Sequence, residues 1–159
     1  MMIRRFRRED AERVSELITT TMRISNAKDY PPEDIDALVA TQTPEHILRR
    51  AEWTHFYVAE DADGIIGCGA IGPYWGSVDE SCLFSIFVHP GHQGRGVGRR
   101  IIETLERDPF FLRAWRTEVP ASVTGVPFYL KMGYRYKNGI TEPDEERLVR
   151  LEKRRERPE

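Results

Sequence analysis

The chain lacks three features that would each have narrowed its class at once. Its 159 residues include only two cysteines, Cys68 and Cys82, and no Cys-x-x-Cys pair, which argues against a disulfide framework and a cysteine-based metal site. No apolar run approaches the ~20 residues that a membrane helix needs. The first residues lack the apolar core of a signal peptide. We therefore expect a cytoplasmic protein with no membrane partner.

An excess of charge of one sign is also missing. The chain has 24 Lys and Arg against 26 Asp and Glu, which gives a formal net charge of −2. This balance gives no reason to expect nucleic acid as a partner. His89 and His92 are three residues apart but lack a third ligand in the sequence, so we predict no metal site.

What the chain does have is a glycine-rich turn between a strand pattern and a helix pattern. The turn follows Val88 and contains Gly94, Gly96 and Gly98. Because glycine has no Cβ, backbone N–H groups at the start of a helix can face open space here. Such N–H groups, at the positive end of the helix dipole, form a cradle for phosphate oxygens. The turn predicts a ligand with a diphosphate; a tight loop without a ligand is the plainer alternative.

Two familiar phosphate-binding loops do not fit this turn. A P-loop needs Lys and then Ser or Thr directly after its last glycine, whereas Arg99 and Arg100 follow Gly98. The dinucleotide fingerprint needs a third glycine three residues after its second, and that position is also Arg99. The turn therefore matches neither of these two motifs.

Two motifs resemble those of one known family, the GCN5-related N-acetyltransferases (GNAT). The first resembles the family's acyl-CoA diphosphate loop and reads Gln93-x-x-Gly96-x-Gly98. The second resembles the family's late aromatic motif and reads Phe128-Tyr129-x-x-x-Gly133-Tyr134. Two motifs in the family's order are more specific than one, and a weaker resemblance extends over almost the whole chain. The resemblance implies a single N-acetyltransferase domain over residues 1–159, with a closing strand and charged tail at 147–159.

The hydrophobic patterning and the resemblance together predict a mixed α/β fold. We expect a central twisted sheet of about seven mostly antiparallel strands, flanked by about four helices. By resemblance, the fourth and fifth strands should splay apart. The stretch from Arg147 to Arg157 alternates basic and acidic residues, which is typical of a solvent-exposed edge strand.

The resemblance implies acetyl-CoA as co-substrate, without a metal. Its pantetheine arm would lie along the strand that ends at Val88, and its diphosphate would rest on the glycine loop. Many family members carry an asparagine just after the fifth strand; here that contact is either absent or passes to Ser122. The predicted acetyl-CoA contacts are Phe87, Val88, Gln93, Gly94, Arg95, Gly96, Val97, Gly98, Arg99 and Ser122.

Acetyl transfer to an amine requires a neutral nucleophile and a proton for the departing thiolate. Tyr129 matches the family's tyrosine that supplies this proton, and a phenol titrating near ~10 is protonated at neutral pH. The alternative is that Tyr129 only packs beside the site. Many relatives carry a glutamate as base where this chain has Cys82. The predicted base is therefore Glu80 acting through a water, with bulk solvent as the alternative.

The function implied is an acetyl-CoA-dependent N-acetyltransferase acting on a primary amine by direct attack in a ternary complex. The amine belongs either to a small molecule or to a protein, and Tyr30 and Trp75 are predicted to contact it. A catalytically weak acyl-CoA-binding sensor is the alternative, because the strand glutamate is missing. A nucleotide-binding module or a ligand-free interaction domain would require the glycine loop to be coincidental. The resemblance leaves homodimerisation open.

Overall fold

The computed structural model of the chain describes residues 1–156, so the end of the predicted charged tail, at 157–159, lies outside the described residues. Seven strands form one sheet in the order β1-β2-β3-β4-β5-β7-β6. All neighbours are antiparallel except β4 and β5, which are parallel. The strands are Met2–Arg5 (β1), His55–Asp61 (β2), Gly64–Pro73 (β3), Glu80–Val88 (β4), Arg116–Ser122 (β5), Arg135–Tyr136 (β6) and Leu148–Arg154 (β7). The expected mixed α/β fold with a mostly antiparallel sheet is confirmed.

Six α-helices lie within residues 1–156, more than the four or so expected from the sequence. They are Ala11–Ile24 (α1), Pro32–Ala40 (α2), Pro44–Trp53 (α3), Val97–Leu105 (α4), Pro109–Leu112 (α5) and Val126–Lys131 (α6). Three of them begin at a proline, where the missing N–H would have no partner in any case. For α5, the Asp108 side chain accepts a hydrogen bond from the Phe110 N–H at 2.8 Å, which fixes a helix the sequence pattern did not predict. None of these helices is long and apolar enough to cross a membrane.

Helices cover both faces of the sheet, and the alternation of strand side chains divides the core between them. We call the face that packs against α1 and α3 the first face; Val14 and Phe84 belong to its core. The second face packs against α4, and Ile101 and Leu83 belong to its core. Because successive strand residues point to opposite faces, Cys82 belongs to the first face although Leu83 belongs to the second.

β4 and β5 are paired only where they begin. Their register joins Glu80 to Arg116, Ser81 to Thr117 and Cys82 to Glu118. In the described part of the chain the two strands make no further pairs, although β4 continues to Val88 and β5 to Ser122. The sheet is thus splayed between its fourth and fifth strands, as expected. The facing strand edges keep backbone groups that no neighbouring strand satisfies.

A β-bulge interrupts β4 within its unpaired half. Ala70 of β3 pairs with Phe84, but Cys68 pairs with Phe87, so two residues of β4 lie opposite one of β3. Ser85, the first of these two, has a φ of 54°, which is left-handed backbone. Such a bulge bends and twists the strand that carries it.

β7 is not the solvent-exposed edge strand that the charge pattern predicts. It pairs with β5 along its whole length and with β6 on its other side, so it lies inside the sheet. Val149 and Leu151 are buried in the second-face core. The alternating charges have partners within the fold: Arg150 lies 2.9 Å from Asp144, and Glu152 lies 2.9 Å from Arg116. The charge pattern alone does not reveal this position, because strand order depends on long-range pairing.

Candidate active site

A cleft of about 510 Å³ opens between the splayed ends of β4 and β5. The end of β4, the glycine loop and the start of α4 form one wall, and the loop after β5 and helix α6 form the other. The C-terminal end of α1 borders the cleft as well. The lining residues are Thr21, Ser25, Asn26, Ile86, Phe87, Val88, His92, Gln93, Gly94, Gly96, Val97, Gly98, Arg99, Ser122, Thr124, Gly125, Phe128, Tyr129, Lys131 and Met132.

The glycine loop presents backbone to this cleft. Gly94 and Gly96 have φ angles of +78° and +80°, and a Cβ built on either would meet no atom within 4 Å. Gly96 is the N-cap of α4, and the first intrahelical bond runs from the Arg100 N–H to its carbonyl at 3.1 Å. The N–H groups that precede Arg100 in α4 therefore have no partner within the helix. They form an electropositive rim at one end of the cleft.

Two contacts fix the position of the loop. The Gln93 Nε2 donates to the Val88 carbonyl at 2.9 Å and to the Ser25 Oγ at 3.2 Å, so it links the loop to β4 and to α1. A Cβ on Gly98 would lie 3.1 Å from the Phe128 ring. Glycine at this position therefore allows α4 and α6 to approach each other across the cleft.

Nine of the ten residues predicted to contact acetyl-CoA line this cleft. The tenth, Arg95, is exposed and is not part of the lining. Ser122 lies at the end of β5, where its Oγ accepts from the Gly125 N–H at 3.1 Å and so also shapes the turn into α6.

Tyr129 lies in the same cleft, on α6. Its side chain is buried, and within residues 1–156 its hydroxyl has no hydrogen-bond partner. Burial raises the pKa of this phenol, so it remains protonated at neutral pH. Tyr134, which follows α6, differs because its hydroxyl donates to Glu106 at 2.9 Å. Tyr129 is therefore a protonated donor that the fold leaves available.

The predicted base, Glu80, does not line this cleft. Glu80 begins β4, at the end that is paired with β5, and its carboxylate lies 2.7 Å from the Arg116 Nε. This hydrogen bond lowers the pKa of Glu80. Cys82 is fully buried, and burial raises the pKa of its thiol to about 12. Neither group has the ordinary properties of a base poised near neutral pH.

Glu80 belongs to an ion-pair network that spans the paired ends of β4, β5 and β7. Arg116 lies 2.9 Å from both Glu118 and Glu152, and Glu118 lies 2.8 Å from Lys137. Arg116, Glu118 and Glu152 are all buried. A buried charge is tolerated only when it is paired and hydrogen-bonded, and each of these three meets that condition.

The two residues predicted to contact the acceptor lie in different surroundings. Tyr30 is buried; its hydroxyl donates to the Arg147 carbonyl at 2.9 Å and accepts from the Val123 N–H at 2.8 Å. Trp75 lies in the turn between β3 and β4 with 63% of its surface exposed. The structure does not bring the two together: Tyr30 connects segments of the fold, whereas Trp75 is open to solvent.

Sequence reasoning missed the contribution of Thr21 and Ser25 to the cleft. Thr21 lies in the last turn of α1, and Ser25 directly follows that helix. Thr21 and Ser25 are one helical turn apart, so polar residues at this spacing were the available signal.

Sequence reasoning also missed a group of metal-capable side chains. Ligand atoms of Asp61, Asp63 and His92 lie within 4.8 Å of one another. The His92 Nδ1 is 3.8 Å from Asp61, while its Nε2 is 3.6 Å from Asp63. The ring therefore lies between two carboxylates, with one beside each of its nitrogens. A single ion would be bound by one nitrogen only.

The sequence profile described as "Acetyltransferase (GNAT) domain" matches residues 52–136, which is more than half of the chain and includes the glycine loop and α6. The chain belongs to the GNAT acetyltransferase family. No curated protein matches it in sequence.

Solved structures resemble the chain over nearly its full length. A GCN5-related N-acetyltransferase from Rhodopseudomonas palustris is 22% identical, with a TM-score of 0.78 over 96% of this chain and 94% of that one. The PaiA N-acetyltransferase of Thermoplasma acidophilum, in complex with coenzyme A, is 17% identical, with a TM-score of 0.81 over 96% and 98%. The yncA protein of Salmonella typhimurium, with its cofactor acetyl-CoA, is 17% identical, with a TM-score of 0.68 over 100% and 96%. At these identities the likeness establishes the fold.

Proposed function

We propose that this chain is an acetyl-CoA-dependent N-acetyltransferase that acetylates a primary amine of a small molecule or a protein by direct attack in a ternary complex. The observation that carries the proposal is one cleft that contains both the unpaired amides of α4 and the unpartnered hydroxyl of Tyr129. The coenzyme A and acetyl-CoA complexes of PaiA N-acetyltransferase and yncA support the choice of ligand.

The residues of the cleft fit acetyl-CoA in two respects. The open space in front of Gly94 and Gly96 leaves room for a diphosphate on the α4 amides. Beyond Cys82, the edge of β4 that faces β5 has no strand partner within residues 1–156. Backbone groups along this edge can bond an extended chain with amides of its own. Acetyl-CoA supplies the acetyl group as a thioester. Arg99, which lines the cleft, adds positive charge near the loop.

Tyr129 is the proposed general acid. Its raised pKa keeps a proton on Oη at neutral pH, and no acceptor within residues 1–156 competes for that proton. A departing thiolate in the cleft would receive it.

We propose that bulk water removes the proton of the amine. Cys82 stands where many relatives carry a glutamate, and its high pKa makes the thiol an unsuitable base. Glu80 remains the side chain predicted as base, although its ion pair with Arg116 weakens it for that role. Replacing Glu80 with Gln distinguishes the two routes.

The test is thiol release from acetyl-CoA in the presence of a panel of amines, with the acetylated product identified by mass spectrometry. We expect release that depends on an amine and is strongly reduced in Tyr129→Phe. Acetyl-CoA binding without turnover of any amine would favour the acyl-CoA sensor, for which the absent strand glutamate is the supporting observation. Failure to bind acetyl-CoA would overturn both functions.

A further inference from the structure

Arg50, near the end of α3, is a cation that has no acidic partner within residues 1–156. Its side chain is half-buried on the first face of the sheet. The Nη1 atom donates to the Ser85 Oγ at 2.8 Å, and the guanidinium carbon lies 5.0 Å from the centre of the Phe84 ring. The Nε and Nη2 atoms have no acceptor in the described part of the chain.

Two other arginines that are buried or half-buried, Arg116 and Arg150, pair with carboxylates. Arg116 contacts three of them, and Arg150 lies 2.9 Å from Asp144 and 3.7 Å from Glu118. Burial without an acid lowers the pKa of Arg50, because desolvation disfavours the charged form. A guanidinium in this setting would gain from an anion supplied by a ligand.

Arg50 lies next to the cleft through its contact with Ser85. Ser85 is the bulged residue of β4, and the residues that follow it line the cleft. The Cys68 Sγ donates to the Ser85 carbonyl at 3.1 Å, which helps to hold the bulge in place. Ser85 therefore connects the Arg50 guanidinium with the stretch of β4 that lines the cleft.

Aromatic rings stand beside the guanidinium. The Phe84 ring meets Trp53 at 5.0 Å and Trp75 at 5.9 Å between centroids, in both cases edge to face. Trp53 and Trp75 are 42% and 63% exposed, which is unusual for side chains of this size. The solvent-facing wall beside Arg50 is therefore apolar.

We propose that Arg50 binds a carboxylate of the acceptor, so that the acceptor is a small amino carboxylate with an apolar body, such as an apolar amino acid. Guanidinium and carboxylate match as a planar fork, and Nε and Nη2 are the two donors left for it. The apolar body would lie against Phe84 and the two tryptophans. That the bound molecule is the amine acceptor rests on the proposed function. The contact between Arg50 and a carboxylate does not.

The test is calorimetric titration of the protein saturated with coenzyme A. L-leucine, L-methionine and L-phenylalanine are each compared with their carboxamides, which keep the amine and the apolar body. We expect at least one acid to bind about tenfold or more tightly than its amide, the usual size of a charge-assisted hydrogen bond. The Arg50→Gln substitution should reduce the affinity for that acid to the affinity for its carboxamide.

Arg49→Gln is the matched control, since Arg49 is the exposed neighbour on the same helix and its loss changes the net charge equally. It should leave the preference for acids unchanged. Arg50→Lys, which keeps the charge without the planar fork, should retain part of it. Thermal unfolding checks that each variant is folded. If the Arg50→Gln variant does not fold, the Arg50→Lys variant is used for the test instead.

Three results would each overturn the carboxylate site. They are amides that bind as tightly as the acids, an equal effect of Arg49→Gln and Arg50→Gln, and no binding of any of the three acids. The titration is repeated on protein without coenzyme A. Binding of acids through Arg50 in a protein that fails to bind coenzyme A would sustain this site and overturn the proposed acetyltransferase, so the two failures are distinguishable.

Discussion

The two ends of the β4–β5 pair are built in opposite ways. At the start, three residue pairs join the strands, and the buried Arg116 contacts a carboxylate from each of β4, β5 and β7. Beyond Cys82 the strands separate, and a cleft of about 510 Å³ lies between their far ends. We call these the paired end and the open end.

The comparison shows how one pair of strands supplies both anchoring and function. At the paired end, the buried charges have partners, so the strands are fixed in register. At the open end, the amides of α4 and the Tyr129 hydroxyl lack partners within residues 1–156. Groups that folding leaves unsatisfied beside a cleft are those that a ligand can satisfy. We propose that the paired end holds the open end in position.

The largest expected effect comes from removing the proton donor at the open end. Tyr129→Phe should lower kcat about 100-fold, the usual contribution of a general acid, while the affinity for acetyl-CoA stays unchanged. Steady-state kinetics and calorimetry measure the two quantities. Tyr136→Phe, a half-buried phenol on β6 that is not part of the cleft, is the control and should keep full kcat. An equal kcat in the two variants would assign Tyr129 to packing alone.

The next effect concerns stability at the paired end. Arg116→Gln should lower the free energy of unfolding by about 3 kcal/mol, because it leaves buried carboxylates without their main partner. Arg154→Gln removes an exposed arginine that contacts the same Glu152 and should cost less than about 1 kcal/mol. Urea denaturation measures both. Similar losses in the two variants would show that the buried network does not anchor the strands.

Glu80 tests whether the two ends are separate in function. Arg116 lowers the pKa of Glu80 from its ordinary 4.5. The ion pair therefore contributes fully to the free energy of unfolding above pH 4.5. That contribution is lost as the pH falls through the lower pKa of the folded state. Glu80→Gln should therefore flatten the loss of stability in acid. At neutral pH we expect acetyl transfer to fall less than about threefold, far below the contribution of a general base. A fall of about 100-fold would instead make Glu80 the base.

The smallest effect is expected from exposed charges at the mouth of the open end. Arg99→Gln should weaken acetyl-CoA binding by at most about fivefold, and less at high salt, because exposed ion pairs are weak and screened. Arg95→Gln should have a smaller effect, since Arg95 does not line the cleft. Titrations at two salt concentrations measure both. An equal effect of the two variants would imply a general charge effect rather than a contact.

The parts of the molecule that the sequence predicted well are those that depend on local pattern. Gly96 precedes α4 with left-handed backbone, a conformation that favours glycine. Tyr129 is part of a short motif that begins on α6. The order of the strands is not local. The place of β7 between β5 and β6 follows from pairing with Arg116–Ser122, which the charges of the tail do not reveal.

The same distinction explains the side chains whose surroundings the sequence did not anticipate. Tyr30 is held by Val123 and Arg147, which are far from it in the chain. Glu80 meets Arg116 only because the start of β4 lies beside the start of β5. Arg50 was not predicted at all, because the proposal rests on the absence of a carboxylate around it within residues 1–156, which only the packed fold shows.

Thermal unfolding with and without acetyl-CoA tests the central claim, that the open end binds acetyl-CoA, most directly. The parent is compared with Gly96→Trp in the loop and with Gly139→Trp, an exposed control glycine with a similar positive φ and equally open space. Ligand at ~100 times its dissociation constant adds about 2.7 kcal/mol of stability. We predict a raised midpoint in the parent and in Gly139→Trp, and none in Gly96→Trp. An unchanged midpoint in the folded parent, or an equal rise in Gly96→Trp, would contradict the account.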